Sequence, residues 1–182
     1  MRVVKRILLA FGAIVVILLA VGFLLPRRVH VERSATIDAP AGVVFANVDD
    51  LRRWEAWTPW GKDRDPTVEM SYSDSTAGKG AWFTWTSKKL GSGKLEIVDS
   101  QPPKAIDMRL AMDDAGEPAK CGFAFAESEG KTNVTWHFDA DMGVWPPGRY
   151  FGLCMDWLLG GDYEKGLSNL KRVAEAQAKT QP

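Results

Sequence analysis

The feature that most constrains this chain is an apolar run near its amino terminus. Residues Ile7–Leu25 (ILLAFGAIVVILLAVGFLL) contain no charge, no proline and no strongly polar side chain. A helix needs roughly 20 such residues to cross the hydrocarbon core of a bilayer. The run therefore predicts a transmembrane helix, and we interpret residues 1–28 as a membrane anchor with basic flanks.

A cleaved signal peptide is the alternative interpretation of this segment. Its basic start is present, but a signal peptide has an apolar centre of only roughly 7–15 residues. The end of the run, Phe23–Arg28, offers no pair of small residues for cleavage, so we expect an uncleaved anchor. A short basic amino terminus usually stays in the cytoplasm. This predicts that the rest of the chain lies on the outer, periplasmic or extracytoplasmic face.

The remainder of the chain has the size of one domain, residues 29–178, followed by a tail, residues 179–182. The whole chain balances 23 basic against 23 acidic residues, whereas the part from Val29 onward holds 18 basic and 23 acidic residues, a net charge of −5. No cluster of lysine and arginine is present, so nucleic acid is not an expected partner.

Cys121 and Cys154 are the only cysteines, and neither lies at ligand spacing from a histidine. We therefore expect no metal site and no cofactor. The favoured interpretation is that both are buried free thiols. A disulfide between them stays open as an alternative if the domain faces an oxidising compartment.

Residue patterning predicts a strand, two short helices, a run of strands and a final helix. Alternation of apolar and polar residues predicts a strand at Val29–Ala39. Short helices are expected at Ala41–Val48 and, with Asp49 or Asp50 as the cap, at Leu51–Trp57. Six more alternating runs between Val68 and Asp139 are separated by glycine and proline turns, which is typical of an antiparallel meander.

After Pro146-Pro147-Gly148 the pattern becomes helical, and one long amphipathic helix is predicted from Phe151 to Ala174, with Gly160-Gly161 as a point of bending. The fold class is therefore α+β, with a curved seven-stranded antiparallel sheet. The last helix is the only element long enough to cover the apolar face of that sheet. A strongly curved sheet around a helix leaves room for a cavity between them.

Two segments resemble a known family. Arg33–Trp60 (RSATIDAPAGVVFANVDDLRRWEAWTPW) and Gly160–Glu175 (GGDYEKGLSNLKRVAE) are similar to the polyketide cyclase/dehydrase and lipid-transport branch of the START-like (SRPBCC, Bet v 1-like) superfamily. The resemblance extends from about Val29 to Val173 and implies a helix-grip fold around an apolar pocket. It does not imply one reaction, because members include lipid carriers, hormone receptors, aromatic cyclases and co-chaperone-like domains.

Apolar side chains on the inner face of the strands and the first half of the last helix are the candidate lining of this cavity. Such residues suit a hydrophobic ligand, although a solid core is the alternative for each of them. Trp54, Trp57 and Trp60 either lie at the cavity mouth or membrane interface, or lock their short helix onto the sheet. The candidate lining residues are Tyr72, Phe83, Trp85, Met108, Leu110, Phe123, Trp136, Phe151, Met155 and Leu158.

Polar groups near this lining distinguish an enzyme from a carrier. Asp162 and Tyr163 are the candidate polar cavity groups, and Tyr72 is a third supplier of a hydroxyl. The competing interpretation of Asp162 is that it caps a restarted helix after Gly160-Gly161. His137 is expected on the outer face of its strand, and no nucleophile–histidine set or phosphate-binding loop is present, so no catalytic residue is assigned.

The leading hypothesis is a membrane-anchored domain that binds a hydrophobic small molecule or lipid between sheet and helix. Two alternatives stay open at this stage. One is a cyclase- or dehydratase-type enzyme that uses the same cavity, and the other is a ligand-free interaction module. The expected partners are the ligand and the bilayer.

Overall fold

The computed structural model describes residues 2–113 and 116–180. A long helix, α1 (Arg2–Leu24), leads almost directly into β1 (Arg28–Ile37). Then come α2 (Ala41–Asp49) and a 3₁₀ helix (Leu51–Ala56). The rest of the chain forms β2 (Glu69–Tyr72), β3 (Trp82–Ser87), β4 (Gly91–Gln101), β5 (Ala105–Met112), β6 (Ala119–Ser128), β7 (Lys131–Asp141), α3 (Pro146–Gly152) and α4 (Met155–Ala178).

The strands form one seven-stranded sheet in the order β1-β7-β6-β5-β4-β3-β2, and every neighbouring pair is antiparallel. Strands β2 to β7 are neighbours in chain order, and β1 pairs with β7, so the predicted meander and the α+β helix-grip class are confirmed. Alternation decides which face is buried. On β4, Leu95 and Ile97 are buried, whereas Lys94 and Glu96 point to the other face and form an ion pair at 2.8 Å.

Helix α4 lies against the sheet through a regular apolar stripe. Tyr163, Leu167, Leu170 and Ala174 are all buried, and their spacing of three and four residues places them on one face of the helix. The core therefore lies between this stripe, α2, the 3₁₀ helix and one face of the sheet. The last helix therefore covers the side of the apolar face next to β1 and β7, as predicted, but not the whole of it.

Arg33 links β1 to the outer side of α4 through hydrogen bonds and ion pairs. The Arg33 guanidinium donates to both carboxylate oxygens of Asp156, at 2.8 and 3.1 Å, and to Glu164 at 3.0 Å. It lies flat over Gly160, where a Cβ would overlap its Nη2 atom. The glycine thus leaves room for the guanidinium, whereas a side chain at this position would require the flexible end of Arg33 to move.

The helical region after Pro146 differs from its prediction. Two helices stand where one was expected, because the chain turns at Leu153–Cys154 between α3 and α4. Gly152, at the end of α3, packs closely on β1, since a Cβ there would lie 2.8 Å from Cγ2 of Val29. Conversely, α4 runs without interruption through Gly160-Gly161, so the interpretation of Asp162 as a helix cap is wrong.

The two cysteines are free, and their environments differ. Cys121 is buried among core residues on β6, as predicted, whereas Cys154 is exposed beside the turn between α3 and α4. The expectation of a buried thiol is therefore wrong for Cys154, because the separate packing of α3 turns this position outward.

Helix α1 is the one element of the described chain that stands apart from this core. Its segment Val3–Leu24 is long and apolar enough to cross a membrane, and nearly all of its side chains are exposed. Its last turns contact α3. A Cβ at Gly22 would lie 2.6 Å from Cβ of Pro146, so the two helices are in close contact there.

Candidate ligand-binding site

The centre of the domain is an aromatic cluster that joins the 3₁₀ helix, the sheet and α4. Trp136 of β7 stacks on Tyr163 of α4, with ring centroids 4.0 Å apart and planes inclined by 10°. Trp136 also stacks on Phe123 of the neighbouring strand β6, with ring centroids 4.8 Å apart. Trp54 and Trp57 meet both rings edge to face at 5.7–6.2 Å. The edge-to-face contacts lie within the range that aromatic pairs favour, whereas the Trp136–Tyr163 pair is closer than that range.

Trp54 and Trp57 are part of this cluster and do not lie at a cavity mouth. Their exposures are 6% and 1%, and each indole N–H donates to a backbone carbonyl inside the domain, of Val48 at 2.8 Å and of Asn47 at 3.0 Å. A buried indole that finds its partner within the fold has a packing role. Of the three tryptophans predicted to lie at a cavity mouth or membrane interface, only Trp60 is half-buried, at the edge of the aromatic cluster beside Trp136 and Tyr163.

Four of the predicted lining residues, Met108, Phe123, Trp136 and Met155, are buried in the core. Four others, Tyr72, Phe83, Trp85 and Leu110, are partly buried and pack against that core. The structure places Phe151 and Leu158 elsewhere: their exposures are 57% and 41%, so they do not line the interior. Phe151 belongs to α3, a separate helix that packs on α1, and Leu158 is not among the buried residues of α4.

The half-buried residues form a continuous row on the core face of the sheet, which we call the apolar row (Tyr72, Phe83, Trp85 and Leu110). Strand register brings them together, because Tyr72 is opposite Phe83, Phe83 is opposite Leu95, and Leu95 is opposite Leu110. The Trp85 ring lies directly over Gly93, where a Cβ would be 2.6 Å from the ring. The glycine thus allows the indole to lie flat on the sheet.

The apolar row lies on the half of the sheet away from the main contacts of α4. That helix packs chiefly on β1, α2 and the 3₁₀ helix, and reaches β7 through Trp136. Trp54 borders the row, with its ring centroid 6.1 Å from that of Phe83. The row therefore begins where the packed aromatic cluster ends.

A polar cover from the 3₁₀ helix closes one end of the row. The Tyr72 hydroxyl donates to Glu55 at 3.0 Å, and the Arg52 guanidinium lies over the Tyr72 ring at 4.6 Å from its centroid. Burial, followed by the nearby Glu55 carboxylate, raises the pKa of Tyr72 to about 12. The hydroxyl is thus a neutral donor near pH 7 and is not a general base.

The other predicted polar groups also differ in their surroundings. Asp162 accepts hydrogen bonds from the Trp60 indole, at 2.9 Å, and from the Arg64 guanidinium. Its carboxylate is therefore held at the edge of the aromatic cluster, beside Trp60. Tyr163 is buried within the aromatic cluster, and burial raises its pKa. His137 lies on the outer face, beside Gly122, as predicted. Among the described residues no group of His, Cys, Asp and Glu has the geometry of a metal site.

Sequence reasoning missed Arg52, Glu55 and Arg64, which hold Tyr72 and Asp162. The contacts join residues 17 to 98 positions apart, so no local pattern indicates them. For Arg52 and Glu55 a signal did exist. Arg52 and Glu55 lie three residues apart on a short helix, so both are on the same side of it. The tryptophans of that segment face inward on a different side.

Comparison with known proteins agrees with this architecture. The family model described as "Polyketide cyclase / dehydrase and lipid transport" matches residues 28–175. No match was found among curated protein sequences. The Mycobacterium smegmatis protein Ms6760 superposes with a TM-score of 0.55 at 16% identity, over 82% of this chain and 92% of that one.

Two further structures show the same fold at low identity. The Aha1 dimer protein from Colwellia psychrerythraea is 14% identical, with a TM-score of 0.56 over 81% of this chain and 96% of that chain. Ara h 8.0201 is 10% identical, with a TM-score of 0.53 over 85% and 99% of the two chains.

Proposed function

Because this chain belongs to the polyketide cyclase / dehydrase and lipid transport family, we propose that it is a membrane-anchored domain that binds a hydrophobic small molecule or lipid. The ligand lies on the apolar row, between the sheet and the 3₁₀ helix. Helix α1 holds the domain at the bilayer in which such a ligand dissolves. In this proposal the amino terminus is cytoplasmic and the domain is on the outer face.

The observation that carries the proposal is the partial burial of the row. Tyr72, Phe83, Trp85 and Leu110 are in contact with the core, yet each keeps accessible surface. Covering apolar surface that water now touches contributes about 25 cal/mol for each Å². A hydrophobic ligand gains this free energy at the row, whereas at the tightly packed aromatic cluster it would first have to displace side chains.

The polar cover supports binding of a ligand that also carries a polar group. Among the described residues the Tyr72 hydroxyl has two acceptors within reach, Glu55 at 3.0 Å and the Met70 sulfur at 3.3 Å, and both are side chains. A ligand hydroxyl or carbonyl can replace either of them without leaving a buried backbone group unpaired. Arg52 above the Tyr72 ring adds a positive charge at the same end of the row.

Binding is favoured over catalysis by the state of the acidic and basic groups. A cyclase or dehydratase needs an acid or base that is free to exchange a proton with substrate. Asp162 is held by Trp60 and Arg64, and the raised pKa values of Tyr72 and Tyr163 keep both hydroxyls neutral. Of these groups only Tyr72 lies on the apolar row, where its hydroxyl is suited to donate a hydrogen bond to a ligand.

The test is native mass spectrometry, with lipid extraction, on the full chain purified from its own membranes. We expect a reproducible hydrophobic ligand on the wild type and its loss from Leu110→Trp, which fills the row. Arg109→Trp is the matched control, because this exposed neighbour on β5 points to the opposite face. Equal ligand occupancy in the two variants, with both folded by circular dichroism, would exclude the row as the site.

A further inference from the structure

Apolar side chains that remain exposed outside α1 are concentrated in one short segment. Apart from Met112, the large hydrophobic residues of the described domain with the greatest exposure all fall between positions 144 and 158. Trp157, Trp145 and Phe151 are the aromatic members, with exposures of 81%, 65% and 57%. We call the set the apolar collar; it comprises Val144, Trp145, Phe151, Leu153, Trp157 and Leu158.

The collar lies at the base of α1 because α3 packs along the last turns of that helix. The Tyr150 hydroxyl donates to the carbonyl oxygen of Leu18 at 2.7 Å. Leu18 precedes the end of α1 at Leu24 by six residues, which corresponds to about 9 Å along a helix axis. Tyr150 therefore contacts the apolar span itself, well inside its end.

The charged residue of α3 is placed where a bilayer interface would require it. Arg149 donates to the carbonyl oxygens of Phe23 and Leu25, at 2.6 and 3.2 Å, so it satisfies free carbonyls at the end of α1. The Arg149 charge thus lies at the end of α1, the depth at which a bilayer gives way to its polar headgroups. Tryptophan side chains are enriched at the membrane–water interface of membrane proteins.

We infer that α3 and the first turn of α4 lie in the interface of the bilayer that α1 spans, with the apolar collar inserted among the lipids. The inference rests on the proposed anchoring by α1 and adds a second contact with the same membrane. The hydrogen bonds between α3 and α1 hold the domain against the anchor, and the inserted collar would fix which face of the domain lies on the membrane. The partner is the phospholipid surface itself, since the collar is continuous with the anchor.

The native Cys154 is a suitable reporter, because it is exposed next to the collar while Cys121 is buried. The full chain is labelled at Cys154 with an environment-sensitive fluorophore. It is then reconstituted into phosphatidylcholine–phosphatidylglycerol vesicles that carry nitroxides on the headgroup or on the acyl chain. We expect quenching by the acyl-chain nitroxide, at a depth of about 5–10 Å, as for a helix that lies in the interface.

Two variants complete the experiment. In Cys154→Ser with Ser75→Cys, the label lies in the exposed loop after β2, at the opposite end of the sheet from the start of β1, and should not be quenched. In Trp145→Ser/Phe151→Ser/Trp157→Ser, the Cys154 label should lose its quenching. Both variants should still float with the vesicles, because α1 is unchanged.

The outcomes separate this inference from the anchoring on which it rests. Chain that floats with the vesicles but whose Cys154 label is as unquenched as the Ser75→Cys label overturns the inference and leaves the anchoring intact. Chain that is washed off the vesicles overturns both. Self-quenching between labels that persists on dilution with lipid would place a second copy of the chain over the collar, and would also overturn the inference.

Discussion

Substitution of Gly166 by alanine tests how tightly α4 grips the sheet. A Cβ at this position would lie 2.8 Å from Cζ3 of Trp136 and 3.3 Å from Cδ of Pro59. Carbon atoms in contact prefer about 3.5–4.0 Å, so α4 or the Trp136 ring would have to move by roughly 1 Å. The movement would disturb the stack of Trp136 on Tyr163, whose centroids are 4.0 Å apart.

The expected magnitude follows from two opposing contributions. Alanine in place of glycine inside a helix stabilises it by about 1 kcal/mol. Overpacking of a well-packed core costs about 1–3 kcal/mol. Gly166→Ala should therefore leave the free energy of unfolding unchanged or lower it by up to about 2 kcal/mol.

Gly161→Ala is the matched control on the same helix. No atom lies within 4 Å of a Cβ there, so only the gain of about 1 kcal/mol in helix propensity remains. The two variants should differ by about 2 kcal/mol, which is about 4–8 °C in Tm for a chain of this size. Thermal unfolding of the full chain in mild detergent, followed by near-ultraviolet circular dichroism of the tryptophans, measures the difference. Equal stabilisation by both substitutions would refute the tight packing of α4 on Trp136 and would indicate open space inside the grip.

Three further predictions concern titratable groups. The hydrogen bond from Arg33 lowers the pKa of Asp156, so the pair should stabilise the fold above about pH 4 and lose this contribution as the pH falls further. In Asp156→Asn the free energy of unfolding, measured with urea, should therefore depend less on pH in the acid range. Burial raises the pKa of Tyr163, so the free energy of unfolding of the wild type should fall above about pH 10. The fall should be less steep in Tyr163→Phe, and tyrosinate absorbance follows the ionisation that accompanies it. Burial raises the pKa of Cys121 to about 12, so a thiol reagent at neutral pH should modify Cys154 alone by intact mass, and modification of both in folded protein would contradict the packing of β6.

The elements that depend on residue periodicity could be predicted from the sequence. The alternation around Leu95, Ile97 and Val134 identified strands and their buried face, because the side-chain direction in a strand repeats every two residues. The stripe through Tyr163, Leu167 and Leu170 identified the covering face of α4 for the same kind of reason. Asp50 was predicted as one of two caps, and its carboxylate accepts from the backbone N–H of Arg52 at 3.1 Å.

Predictions about what lies beside an element were less successful. Trp54, Trp57 and Trp60 have the same spacing whether they face a ligand, a membrane or a core. The first two are buried because their rings pack against Phe123 and Trp136, and carbonyl oxygens of α2 satisfy their indole N–H groups. Phe151 and Leu158 are exposed because α3 packs on α1 and Leu158 lies outside the buried stripe of α4, and neither arrangement is visible in the spacing of the residues.

The sequence by itself determined the apolar span, the succession of strands and helices along the chain, and the face that most strands and α4 bury, since these depend on the spacing of apolar and turn residues along the chain. The pairing of β1 with β7, about 100 positions away, is a tertiary contact. Tertiary structure alone decided which of the buried aromatics pack solidly around Trp136 and which form the half-buried apolar row near Phe83. It also decided that α3 lies on α1. These features depend on contacts between residues far apart in the chain, and local periodicity carries no information about which distant surfaces meet.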